Sequence, residues 1–176
     1  MADTETERGS PFWRFSLGFY RQPGVADACI ALQDGCGVDV NVLLFFLWLA
    51  TTQRSVPLAV AQAVCAKAGP WRDEVVAPLR TLRRRLKDGS TLVERGTAEL
   101  FRTRIKTVEL ESERLQQEAM FALADGLATE GATTVEAAAH ANVAAYQNAL
   151  GRTLTPAAVN VLLAAISAGQ SDAGIR

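Results

Sequence analysis

The sequence predicts an all-α chain: one irregular bundle of seven to eight helices, with a single long helix in its C-terminal half. Three observations predict it. No stretch alternates apolar and polar residues with an excess of β-branched side chains, and no internal repeat is visible. Helix start and stop signals recur at helical intervals throughout. The 176 residues, 49% of them hydrophobic, suffice for one core and are too few for two comfortable ones.

Residues 1–9 read as a disordered, solvated tail, acidic and without the apolar stretch of a signal peptide. Ser10 before Pro11 starts the first helix, "PFWRFSLGFYRQ", because a serine side chain accepts from an orphan N–H and proline is harmless in the first turn. Pro23-Gly24 ends it. The second helix covers residues 25–34 and stops at Gly35 and Gly37, which tolerate the left-handed conformation. Asp39 opens the third, which runs to about residue 54 and holds the most apolar run of the chain, residues 42–50. Those nine residues fall well short of the roughly twenty that cross a bilayer, so a core helix is predicted and no membrane span.

Ser55 and Pro57 open a fourth helix, "PLAVAQAVCAKA", closed by Gly69-Pro70. The fifth spans residues 71–87 and is kinked or divided at Pro78, which has no N–H to donate. After "KDGS" the sixth and longest covers residues 91–124. Thr133 with Glu136 makes a capping box for the seventh, "VEAAAHANVAAYQNAL", which Gly151 stops. Thr155-Pro156 starts an eighth that ends at Gly169. The domain is thus residues 10–168, with a flexible tail over 169–176.

One stretch, "LQDGCGVDVNVLLFFLWLA", crowds Gln33, Asp34, Asp39 and Asn41 against that apolar run. Asp39 sits where an N-cap belongs, and Asn41 falls in the first turn. As a pure cap, Asp39 should be replaceable by serine or asparagine with little loss. Asp34 closes a helix whose dipole it opposes, so it needs another partner: the start of the next helix or an arginine. The other reading is a polar site beside an apolar pocket lined by Trp13 and Trp48.

These segments carry a resemblance. "FWRFSLGFYRQPGV", "ACIALQDGCGVDVNVLLFFLWLA" and, less specifically, "IKTVELESERLQQ" resemble a proteobacterial family known only as a domain of unknown function. It covers the chain from about Phe12 to the middle of the long helix. The resemblance implies a bacterial, cytoplasmic protein and carries over no activity, ligand or catalytic residue.

Composition and motifs exclude several classes. Eighteen basic against nineteen acidic residues leave a net charge of −1, which offers no global attraction for nucleic acid or anionic lipid. Cys29, Cys36 and Cys65 form no CxxC pair and read as reduced thiols in a cytoplasmic chain. The single histidine, His140, has no nucleophile near it in sequence, and neither metal-ligand spacing nor a phosphate-binding loop appears. No cofactor or metal is therefore expected.

Two amphipathic patterns remain. On the fifth helix, Trp71, Val75, Leu79, Leu82 and Leu86 share one face, and Arg80, Arg83, Arg84 and Lys87 cluster opposite. Glu109 and Glu113, four apart on the next helix, share a face and Glu111 does not, so a positive patch should stay open to an acidic protein or anion. A variant carrying Arg83→Glu and Arg84→Glu should still fold. On the long helix, Phe101, Ile105, Val108, Ser112, Leu115, Ala119 and Ala122 make a heptad-like seam, expected to be buried in the monomer or in a homo-oligomer. Together these features favour a non-enzymatic helical interaction or adaptor protein. A binder of a small apolar ligand is the alternative, and an enzyme using carboxylates near Asp34 ranks third.

Overall fold

The computed structural model describes residues 9–89 and 91–173 as a single all-α bundle. Its helices are α1 (Pro11–Tyr20), α2 (Val25–Cys36), α3 (Val40–Ala50), α4 (Leu58–Trp71), α5 (Ala77–Arg85), α6 (Arg95–Leu123), α7 (Val135–Leu150) and α8 (Pro156–Ala173). The expected tails fall partly outside these residues, and α8 runs past Gly169 to Ala173.

Most boundaries follow from local chemistry. Ser10 Oγ accepts from the Trp13 N–H, and Asp39 caps α3 through the N–H groups of Asn41 (2.9 Å) and Val42 (3.4 Å). Gly37, at φ +66°, ends α2 two residues later than expected, and Gly151, at φ +61°, ends α7. The cap of α7 is Thr134 rather than Thr133. Gly69-Pro70 does not stop α4, as the sequence reading expected. Instead α4 passes through a π-helical turn, Arg72–Val76, directly into α5. That wide turn lies between Pro70 and Pro78, whose missing N–H groups interrupt the regular ladder on either side.

The hydrophobic α3 is the axis of the core, with nine of its residues buried. α7 packs along α3 and α4, α8 covers α2, and α1 bridges α3 and α6. Phe12, Phe45 and Trp48 form an aromatic cluster, with Phe12 edge-on to Phe45 at 5.3 Å and Trp48 5.5 Å from Phe121. Behind α3, the fully buried Asn142 accepts from the Val56 N–H and donates to the carbonyls of Phe46 and Arg54. It closes the exit of α3, where Gln53 takes a left-handed φ of +58°. There the chain forms the one two-residue ladder among the described residues, Arg54–Ser55 antiparallel to Glu130–Gly131.

The long helix turns a different face inward than its seam suggests. Phe101, Val108 and Leu115 are each 45–50% exposed, and Ala119 and Ala122 are exposed too. The buried face instead carries Ala98, Glu109, Ser112, Gln116, Gln117 and Met120. A heptad pattern cannot tell which face docks. Here the polar face wins because each of its large polar groups meets a partner, so burying it leaves few bonds unmade.

Candidate functional site

Between α1, the start of α3, the π turn with α5, and α6 lies an open cleft of about 690 Å³. Trp13, Leu17, Leu44 and Val76 supply an apolar wall. Facing it are two polar assemblies built from residues far apart in sequence.

The first is a chain of side-chain bonds that starts at Asp39. Its Oδ1 accepts the capping N–H groups, and its Oδ2 accepts from Gln116 Nε2 at 2.8 Å. Gln116 Oε1 accepts from Asn41 Nδ2 at 2.7 Å, and Asn41 Oδ1 accepts from Gln117 Nε2 at 2.8 Å. Gln117 Oε1 then meets no partner among the described residues, although the residue is only 3% exposed and lines the cleft. Ser16, 4% exposed and also a lining residue of the cleft, has a hydroxyl that likewise finds no partner among the described residues. Tyr146, fully buried against Phe46, closes the far side of the chain: its hydroxyl receives the Asp39 N–H and donates to the Asp39 carbonyl. Burial pushes the Asp39 carboxyl up from its ordinary value, against the bonds it accepts from Gln116 and from the backbone.

The second assembly is a set of ion pairs on the facing helices. Arg80 bridges Glu109 (3.2 Å) and Glu113 (2.6 Å), and Arg83 holds Glu109 through two of its nitrogens. Glu109 is only 5% exposed, and its bond raises the pKa of Arg83. Burial pushes the Glu113 carboxyl up, with the Arg80 charge opposing. Tyr20, at the same end, is raised to about 12 by burial.

The sequence-predicted residues divide accordingly. Trp13, Gln33, Asp39 and Asn41 line the cleft. Trp48 does not; it belongs to the core cluster, because α3 turns it toward Phe12 and Phe121. Asp34 finds the arginine it needs, with Arg84 at 3.0 and 3.1 Å, and that bond lowers its pKa. The expectation of four outward cations is corrected. Arg80 and Arg83 lie part-buried on Glu109 and Glu113, and Arg84 on Asp34, so Lys87 alone of the four carries no ion pair among the described residues. As expected, Glu111 faces elsewhere, bound to Arg114. Sequence reading missed Ser16, Gln116, Gln117 and Tyr146. The spacing of Glu109, Ser112 and Gln116, at helical intervals of three and four, was the available signal of a polar inward stripe.

Residues 11–120 match a protein family described as a protein of unknown function, DUF2390. The chain belongs to that family. No curated protein and no solved structure matches it. The DUF2390 span contains every cleft residue from Trp13 to Gln117 and leaves α7, with Tyr146, outside. Among the described residues, no three His, Cys, Asp or Glu side chains come together to hold a metal ion, and no helix is long and apolar enough to cross a membrane.

Proposed function

We propose that this chain is a binding domain that takes a small amphipathic organic molecule into the cleft beside Trp13. One observation carries the reading: Ser16 Oγ and Gln117 Oε1, both buried and without a partner among the described residues, belong to residues that line one cleft with an apolar wall. Buried polar atoms are ordinarily satisfied, and a ligand that bonds to them removes the cost of leaving them bare. The volume, about 690 Å³, suits a drug-sized molecule. Binding fits better than acid–base chemistry, because the nearby carboxylates are committed: Asp39 to its cap and Gln116, Glu109 and Glu113 to arginines. Native mass spectrometry of the chain purified from its own host tests this. A bound small-molecule mass in the wild type, lost in Ser16→Leu, is expected. An adduct retained by Ser16→Leu would place the ligand elsewhere.

The interaction reading keeps one specific support, the exposed ridge of Phe101, Val108 and Leu115 on α6. A second copy suits it best. In an antiparallel pair centred on Val108, Phe101 faces Leu115 and Arg104 comes within one position of Glu111, a charge of opposite sign on the same flank of the ridge. Sedimentation would show a dimer that Arg104→Glu weakens and that Arg104→Glu combined with Glu111→Arg restores. A monomer at high micromolar concentration would remove this reading.

A further inference from the structure

We infer, resting on the ligand-binding reading above, that the cleft selects a ligand whose head group is a neutral carboxamide or lactam donating an N–H to Gln117 Oε1. Asp39 sets that selectivity as a positioning residue at the other end of the amide chain. The direction of the chain is forced. Backbone N–H groups are donors only, so the Asp39 carboxylate is anchored on Asn41 and Val42 as an acceptor. Its second oxygen also accepts, which obliges Gln116 to turn its nitrogen toward Asp39. A primary amide has one accepting and one donating end. Gln116 must therefore offer its oxygen to Asn41 and Asn41 its oxygen to Gln117, which leaves the Gln117 oxygen as the free end of the chain, buried and without a partner among the described residues. Turning any one member round sets oxygen against oxygen or NH₂ against NH₂ in a buried place.

The chain thus ends, on a residue that lines the cleft, in a fixed acceptor that only a donor can satisfy. A carboxylate set against that oxygen, being acceptor-only, would oppose it. Arg80 and Arg83 already hold Glu109 and Glu113, while Arg21, Arg72 and Lys106 also line the cleft and can meet charge elsewhere on the ligand. The other orphan, Ser16 Oγ, belongs to a residue lining the same cleft and can donate to a ligand carbonyl. An N–H beside a C=O meets both needs, with an aromatic or aliphatic body against Trp13, Leu17 and Val76.

The test uses two probes of the same shape, 2-naphthamide and 2-acetonaphthone, which differ by NH₂ against CH₃. Their affinities for the full chain are measured by ligand-observed NMR titration. The wild type should prefer the amide about tenfold, the worth of one net hydrogen bond. Asp39→Asn, checked for folding by circular dichroism, lets the whole chain reverse, and the preference should shrink below about threefold. Gln117→Met keeps the bulk, removes the acceptor and should abolish the preference. It also decides the acceptor claim if Asp39→Asn does not fold. Equal binding of both probes to the wild type, or a preference kept by Asp39→Asn or Gln117→Met, overturns the inference and leaves the cleft reading intact. Binding of neither probe to the wild type overturns both.

Discussion

Replacing Asp39 in turn by alanine, serine and asparagine separates its two roles, helix cap and end of the amide chain. Alanine removes both. The lost cap costs about 1 kcal/mol, and a buried Gln116 Nε2 left without its acceptor adds about 1–3, for a total of roughly 2–4 kcal/mol. Serine restores only the cap, so roughly 1–3 kcal/mol of the loss should persist. Asparagine keeps the cap through its oxygen and turns NH₂ toward Gln116, which reverses together with Asn41 and Gln117. Its cost should stay below about 1 kcal/mol, since every internal bond is remade. Urea unfolding of the four proteins at 25 °C, at constant slope, gives the differences directly. The sequence alone ranks serine and asparagine as equal substitutes, and the second oxygen on Gln116 is what separates them. If serine proves as mild as asparagine, the Gln116 bond contributes nothing. If asparagine costs as much as alanine, the chain does not reverse as a unit. Either result refutes the reasoning.

The same carboxyl gives a pH dependence. Its folded pKa is raised, so its contribution is present below the unfolded value of about 3.9 and lost as pH rises through the folded value. The wild type should therefore lose stability relative to Asp39→Asn on going from acid to neutral pH, and a difference that does not move with pH would contradict this. Arg83→Glu should destabilise by about 2–3 kcal/mol, less than for a fully buried pair, because it sets a second carboxylate against the buried Glu109. Thermal unfolding with only a surface-sized loss would mean that the pair is dispensable. Phe101→Ala and Leu115→Ala should each cost less than about 1 kcal/mol in dilute monomer, measured by urea unfolding, because both side chains stand half exposed. Asn142→Leu should cost about 2–3 kcal/mol, since it strands the buried Val56 N–H, takes the amide from the Arg54 carbonyl and removes the second bond of the Phe46 carbonyl; a near-wild-type denaturation midpoint would show that water replaces the amide.

What the sequence reveals here depends on whether a signal is local. Caps and stops are local, and Ser10, Asp39, Gly37 and Gly151 act where the sequence places them. Helix α3 reads as core because it is apolar all round and needs no partner to declare its burial. The join of α4 to α5 is not legible, because Gly69-Pro70 is a stop signal in isolation and only the π turn lets the helix continue. Nor is the orientation of α6. Its apolar ridge and its polar stripe have the same helical period, and only the placement of Arg80, Arg83, Asp39 and Asn41 decides which one is buried. Of the site, Trp13, Asp39 and Asn41 were visible as a polar motif near an aromatic. The amides that complete it lie some seventy-five positions away, and the Asn41–Gln116 bond spans that distance.

The central claim, a cleft with an unmet acceptor at Gln117, is most directly tested by following the side-chain NH₂ signals of Asn41, Gln116 and Gln117 in ¹H–¹⁵N spectra during titration with 2-naphthamide. The account predicts saturable shifts of the Gln117 NH₂ and the Trp13 indole, with smaller shifts passed along to Asn41 and Gln116. Shifts confined to Trp71 and the exposed face of α6, with Gln117 unmoved, would contradict it.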